Sequence, residues 1–309
     1  MPPTTLGAPL IDSATTLVSQ DVATAIAIPS AHIRAEQPLA EPDAIAPARI
    51  GRLMQQFERL AALLRTDASY VVEPFDLALP DGFKLSVVMP VFNEKQTIRE
   101  IAARVLALPI PLELIIVDDG SRDGTRDVLI QLQEAPQVTV FFKDRNEGKG
   151  AALRDGMQLA TGDIVVVQDA DLEYDPRDLL RVIRPVLSGE ADVAYGSRFL
   201  GPPPEGSSWL HRFGNRLLTR LTNVVSGLKL TDMETCHKAF RANVIRALPL
   251  TQNRFGFEPE VTAKLARRGH RIVETPVAYQ PRRWRDGKKI GLRDAITALW
   301  CIVRYRFAD

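Results

Sequence analysis

Cysteine is scarce in this chain: Cys236 and Cys301 are the only two in 309 residues, and their spacing suits neither a disulfide framework nor a zinc site. They read as buried thiols of a reducing compartment. An excess of charge of one sign is also missing. The 39 Lys and Arg stand against 38 Asp and Glu, a formal net charge of +1, which argues against a partner such as nucleic acid. No apolar run approaches the roughly 20 residues that a membrane-spanning helix needs. The N-terminus lacks a basic stretch followed by an apolar one, so no signal peptide is expected. These absences lead to the expectation of a cytoplasmic protein, soluble or peripheral to a membrane. Internal repeats are lacking as well. What charge imbalance there is lies at one end, where eight Lys and Arg face three Asp over 281–309.

Residues 1–45 are rich in Ala, Pro, Thr and Ser without periodicity and read as a disordered leader. Over 46–80, the spacing of Ile50, Leu53, Met54, Phe57, Leu60, Ala61 and Leu64 predicts an amphipathic helix and a linker. Its apolar face would pack on the domain, or offer a contact to a second copy or a membrane-protein partner. Residues 81–309 form the main domain. Short apolar runs at 86–91, 112–117, 138–142, 163–168 and 191–195 alternate with helical patterns up to 107 and at 125–133, 151–160 and 176–187. This alternation predicts an α/β fold, a mostly parallel sheet flanked by helices with right-handed crossovers. Two amphipathic helices follow, at 209–225 and 291–307. They set Arg212, Arg216 and Arg220, and Arg293, Arg304 and Arg306, beside aromatic and aliphatic residues, as interfacial helices do. Part of those apolar faces must pack on the sheet.

The chemistry gathers where strands end. The run Val165-Val166-Val167 stops at Asp169, Asp171 and Glu173, and open α/β sheets bind ligands beyond the carboxyl ends of their strands. In an extended segment, alternation points the three carboxylates to one side. Like charges converging there need a cation or a ring of donors. Hard oxygens suit Mg²⁺ or Mn²⁺, with substrate phosphates completing the shell. The same residues also read as an acidic turn capping the helix near Pro176. Two further strand ends face the same crevice, Pro90-Val91-Phe92-Asn93-Glu94 and Asp118-Asp119-Gly120-Ser121, whose carboxylates can accept hydrogen bonds from a base edge or a ribose.

More motifs accompany these three: NEGKGAALRDG at 146–156, DADLEYDP at 169–176, GSR at 196–198, DMETCHKAF at 232–240, FEPE at 257–260, and a Tyr-x-Pro-Arg…Gly-Lys-Lys-Ile stretch at 279–290. Together, over 85–307, they resemble the inverting family 2 glycosyltransferases of the GT-A (Rossmann-like) fold. Among these they look most like the dolichyl- or polyprenyl-phosphate sugar transferases, of the dolichol-phosphate mannosyltransferase type. The resemblance implies that Pro90, Phe92, Glu94 and Asp119 contact the nucleoside, with Asp118 and Ala170 in the same donor site. It implies that Asp169 and Asp171 hold the metal and the donor diphosphate, with Glu173 a further metal ligand. Members often have Gln at Glu173 and Tyr at Phe92. The extra charge should tighten the cation yet repel the diphosphate, and the missing hydroxyl leaves ring stacking intact. Arg198 matches a phosphate-binding arginine, with a structural salt bridge as its other reading. Arg282 and Lys288 match a loop that closes on the phosphates; Arg283, Arg285 and Lys289 read equally well as solvated.

The implied reaction is attack by an acceptor oxygen on the anomeric carbon of a hexose, carried by a GDP-mannose- or UDP-glucose-type donor. Asp171 and Arg198 would serve the departing diphosphate. A polyprenyl phosphate at the cytoplasmic face of a membrane is the expected acceptor, and being already anionic it needs no base. A soluble or glycan hydroxyl would need one. Asp232 and Glu234 are the candidates, as base or acceptor-orienting groups, and they read equally as a cap or an ion pair. A non-catalytic nucleotide-sugar-binding subunit is the rival from another class, and the intact acidic motif and basic loop argue against it.

Overall fold

The computed structural model describes residues 70–72, 75–76, 78–201, 209–281 and 292–308. The expected leader, the N-terminal helix and the basic loop with Arg282, Arg283, Arg285, Lys288 and Lys289 lie outside these residues. β1 (Leu85–Val91), β2 (Leu112–Asp118) and β4 (Ile164–Val167) are almost wholly buried aliphatic runs. Such strands belong in the middle of a sheet covered on both faces. With β3 (Val138–Phe142), β5 (Val193–Ser197), β6 (Lys238–Arg241) and β7 (Ile272–Pro276), they form a seven-stranded sheet in the order β3-β2-β1-β4-β6-β5-β7. β1 pairs in parallel with β2 and β4, β2 with β3, and β5 with β7. β6 lies antiparallel between β4 and β5.

The helices are α1 (Ile98–Leu106), α2 (Thr125–Leu132), α3 (Lys149–Leu159), α4 (Arg177–Leu187), α5 (Trp209–Ser226), α6 (Ala242–Arg246), α7 (Phe257–Arg267) and α8 (Leu292–Phe307). The mostly parallel sheet and the elements as far as β5 match the sequence expectation to within two or three residues at each end. Of the later elements, β6 and α7 enter the sequence reading only as motifs, and β7 and α6 do not enter it. β6 hides because its leading residue is a lysine. Lys238 is fully buried, its ammonium held by the carbonyls of Met233 and Thr235 and lying 4.3 Å from the Tyr195 ring centre. Its direction matters for the site. Because β6 runs antiparallel, the residues just before Lys238 arrive at the carboxyl edge of β4 and β5, pairing there as Val166 with Ala239 and Tyr195 with Lys238.

α5 packs against both α7 and α8, and α7 packs against α8. Lys264 and Glu260 form a fully buried ion pair at 2.8 Å within α7, under the Tyr305 ring of α8. The outer sides of α5 and α8 carry large exposed apolar side chains. Trp209 is 71% and Phe307 81% exposed, with Phe213, Leu217, Val224, Ile296, Trp300 and Val303 also exposed. Among the described residues, no helix is long and apolar enough to cross a membrane.

α3 approaches β1 and β2 so closely that a Cβ on Gly156 would lie 2.5 Å from Val88 Cγ1 and 3.1 Å from Val117 Cγ2. Gly156→Ala overpacks this contact. It should cost about 1–3 kcal/mol and lower the melting temperature in a calorimetric scan.

Candidate active site at the carboxyl edge of the sheet

The loops after β1 and β2 are fastened to each other. The Asn93 amide donates to Ser121 Oγ at 2.8 Å, the Arg122 amide to Asn93 Oδ1 at 2.9 Å, and the Glu94 amide to Thr125 Oγ1 at 2.9 Å. Asn93 holds φ at 56° to make this turn, a conformation that asparagine tolerates better than most residues. Asp118 is buried and committed to its own loop, accepting from the Ser121 amide and from Arg126 Nε at 2.7 Å. Asp119 accepts the amides of Glu147 at 2.9 Å and Gly148 at 2.7 Å, which ties β2 to the start of α3. Gly148 has φ 106°, and a Cβ there would meet the Asn253 carbonyl oxygen at 2.4 Å, so only glycine fits. Pro90, Phe92 and Glu94 stand along the same edge, all three half-buried.

The acidic loop after β4 departs from the expectation of an extended segment. β4 ends at Val167 and the chain turns, with Leu172 at φ 60°. Strand alternation therefore does not set the directions of Asp169, Asp171 and Glu173. Asp169 meets Lys149, the first residue of α3, with Nζ 2.9 Å from Oδ1 and 3.0 Å from Oδ2. Asp171 Oδ1 accepts the Glu173 amide at 3.1 Å, and Glu173 Oε2 accepts the Tyr279 hydroxyl at 2.8 Å. Tyr174 bridges to Tyr279 and stacks 4.6 Å from His237, whose Nε2 meets Gln168 Oε1 at 3.0 Å. Ala170 is buried beneath the turn. Burial disfavours the Asp169 carboxylate, but the Lys149 charge outweighs it and holds the pKa below the usual range.

Opposite the acidic loop, Arg198 stands just past β5. Its Nε lies 2.6 Å and its Nη2 2.7 Å from the two oxygens of Asp232, a bidentate pair, and its guanidinium sits 5.1 Å from the Tyr279 ring centre. Asn215 of α5 donates to Asp232 at 2.9 Å, and Glu274 of β7 accepts the Thr231 and Asp232 amides at 2.7 and 2.9 Å. Of the readings open for Asp232, the ion pair is the one observed. Burial works against its charge, yet Arg198 keeps its pKa lowered. Glu234 differs. Its Oε1 is buried with no hydrogen-bond partner, and burial, reinforced by the Glu258 charge, pushes its pKa up to about 8.

Sequence reasoning missed Lys149, Lys143 and Glu258 as members of this site. Lys143 reaches Glu147 at 2.7 Å and Asp155 at 2.9 Å, with Asp119 at 3.9 Å. The signal for Lys149 was present, since a lysine opening a helix behind a glycine turn points back toward the strand ends. Among the described residues, no three His, Cys, Asp or Glu side chains are gathered closely enough to hold a metal ion. Asp169 and Asp171 fit a hard divalent cation with water oxygens filling the remaining positions until substrate phosphates replace them, as magnesium sites commonly arrange. Arg198 joins them at the edge; Arg282 and Lys288 lie outside the described residues.

Against known proteins, the family described as "Glycosyl transferase family 2" matches residues 86–248. An undecaprenyl-phosphate 4-deoxy-4-formamido-L-arabinose transferase of Sodalis glossinidius is 30% identical over 66% of this chain and 62% of its own length. The protein of the same description from Edwardsiella ictaluri is 29% identical over 71% of this chain and 66% of its own. The chain thus spans less than two thirds of these relatives. Among solved structures, glucosyl-3-phosphoglycerate synthase from Mycobacterium tuberculosis, in complex with Mn²⁺, uridine diphosphate and phosphoglyceric acid, superposes with a TM-score of 0.57 at 19% identity, covering 74% of this chain and 80% of that one. Mannosyl-3-phosphoglycerate synthase from Rubrobacter xylanophilus gives 0.57 at 20%, covering 72% of each. These likenesses establish the GT-A architecture.

The Glu234 carboxyl yields a stability prediction. Between pH 4.5 and about 8 the native state keeps a proton that the unfolded chain releases, so the stability tied to Glu234 falls as pH rises through that window. Glu234→Gln, neutral throughout, should gain melting temperature relative to the native sequence from pH 5.5 to pH 8.5. A difference that does not change with pH would refute this assignment.

Proposed function

The chain belongs to glycosyl transferase family 2, and from that premise we propose a metal-dependent, inverting transfer of a hexose from a nucleotide sugar to a polyprenyl phosphate at a membrane surface. The observation that carries the reading is the meeting of three strand ends at one edge: Asp118 and Asp119, Asp169 and Asp171, and Arg198. The nucleoside would lie against Pro90, Phe92 and Glu94, with the Phe92 ring as a stacking surface. Contact with Asp118 or Asp119 would have to share oxygens already taken by Arg126 and by the amides of Ser121, Glu147 and Gly148. Asp169 and Asp171 would hold Mg²⁺ or Mn²⁺, and Glu173 would join as a further ligand only by leaving the Tyr279 hydroxyl and moving toward them. When bound, that cation offsets the charge growing on the departing diphosphate. Arg198 adds a second positive charge there. Asp232 acts as its positioning residue, fixing the guanidinium plane before substrate arrives. Arg282 and Lys288 would close over the same phosphates.

The acceptor oxygen attacks the anomeric carbon as the bond to the β-phosphate breaks, inverting the configuration. A phosphate monoester brings its own anionic oxygen and leaves no proton to be removed. The printed names of the relatives, which call them transferases to undecaprenyl phosphate, support a lipid acceptor. So do the exposed apolar sides of α5 and α8, flanked by Arg216, Arg220, Arg304 and Arg306, which suit an anionic bilayer. A second reading is transfer to a hydroxyl. It is favoured by Glu234, a carboxyl pushed up to about 8 and so suited to a general base near neutral pH.

A donor screen with Mn²⁺ and Mg²⁺, read by mass spectrometry of the lipid fraction, tests the reaction; sugar found only on soluble acceptors would overturn the lipid reading. Asp171→Asn should abolish metal-dependent transfer, and near-normal turnover in that variant would remove the metal site. The acceptor also fixes the pH profile. Hydroxyl transfer with Glu234 as base gives a rate that rises with pH toward about 8 and collapses in Glu234→Gln, whereas phosphate transfer lacks that limb. Cosedimentation with anionic liposomes at low salt should be strong for the native sequence and weak for W209A/W300A.

A further inference from the structure

We infer that Lys149 is a built-in counter-ion occupying Asp169, and that Glu258 is the carboxylate that receives its ammonium when a divalent cation takes Asp169. This rests on the proposed metal site and deepens it by naming what the cation must displace. The Lys149 ammonium lies 2.9 and 3.0 Å from the two oxygens of Asp169, so it covers both positions a cation would use. The same ammonium has Glu258 Oε1 3.5 Å away. Glu258 opens α7, is 5% exposed, and leaves its Oε2 buried with no hydrogen-bond partner. A buried carboxylate oxygen without a partner is costly to keep unless something comes to occupy it. Here the ammonium next to it is the group within reach.

The backbone makes this a side-chain movement. Lys149 follows Gly148 at a turn pinned by the Asn253 carbonyl, which accepts the Ala151 amide at 3.0 Å, while Gly150 lies hard against the Gln252 carbonyl. The helix start is therefore fixed, and the four-carbon lysine stem supplies the travel. The two carboxylates share one cation, Asp169 at 2.9 Å and Glu258 at 3.5 Å. A divalent ion on Asp169 would repel the ammonium, and a shift toward Glu258 relieves the repulsion while providing for the orphaned oxygen. The buried pair thereby acts as an electrostatic seat with two positions, and metal affinity reports which one the ammonium holds.

The test is a Mn²⁺ titration followed by electron paramagnetic resonance, without nucleotide, on the full chain and its variants. Lys149→Met should bind Mn²⁺ about tenfold more tightly than the native sequence, because the competing charge is gone. Glu258→Gln should bind about tenfold more weakly, because the ammonium loses its second seat. In the K149M background, Glu258→Gln should change little. Where K149M does not fold, as judged by circular dichroism, Lys149→Gln takes its place. Unchanged or weaker Mn²⁺ binding in the lysine variant overturns the inference, as does a Glu258→Gln effect of equal size with and without Lys149. A different pattern, saturable Mn²⁺ binding that Asp169→Asn leaves intact, would sink the metal site itself.

Discussion

Bringing several carboxylates to one sheet edge is the constraint that organises this molecule. Left to themselves, Asp118, Asp119, Asp169 and Asp232 would repel one another in surroundings that shield charge poorly. Each is answered from within: Asp118 by Arg126, Asp119 by two amides and the more distant Lys143, Asp169 by Lys149, and Asp232 by Arg198. Buried ion pairs of this kind contribute little net stability compared with apolar packing. What they supply is direction. Each cation is drawn from an element whose position is set elsewhere, so every carboxylate at the edge has its counter-charge before any ligand arrives. The Arg198 guanidinium, held in both directions by Asp232, is preorganised charge of the kind that stabilises a transition state without further rearrangement.

That arrangement depends on one topological choice, the insertion of β6 against the direction of its neighbours. A parallel strand in that slot would deliver its trailing residues to the edge. The antiparallel one delivers its leading residues instead, and these set His237 beside Gln168 and Asp232 beside Arg198. Glu274 of β7 then holds the Thr231 and Asp232 amides from below. Arg198 is oriented through two layers, Asp232 and then Glu274, and α5 contributes Asn215 as a side brace.

Much of the fold was legible because its strands are apolar runs with distinct ends. Val165, Val166 and Val167 announce a buried strand, and the stop at Asp169 announces its carboxyl end. β6 was illegible because Lys238 reads as a surface residue until the Met233 and Thr235 carbonyls and the Tyr195 ring are seen around it. The site shows the same division. Residue types at the strand ends point to Asp119 and Asp169, since paired carboxylates after strands have few uses, whereas Arg198 comes only from the family resemblance. Partners were not readable, because Lys149 and Asp169 are separated by twenty residues and Arg198 and Asp232 by more. The turn at Leu172 was invisible for a plainer reason, since leucine is among the residues least expected at positive φ.

The helical side of the molecule is joined to this edge by hydrogen bonds rather than by apolar packing alone. Tyr305 of α8 meets Thr251 Oγ1 and Gln252 Nε2, each at 2.7 Å. Glu260 of α7 accepts the Thr251 and Gln252 amides at 2.9 and 2.8 Å. The next residue, Asn253, gives its carbonyl to Ala151 at the start of α3 and presses on Gly148, whose own amide serves Asp119. Segment 251–253 is therefore clamped between α7 and α8 on one side and the turn that carries Lys149 on the other. Glycine at 148 and at 150 lets two backbones approach where any side chain would force them apart. The helix start that carries the counter-ion of Asp169 thus takes its fixed position from the same contacts that seat α8.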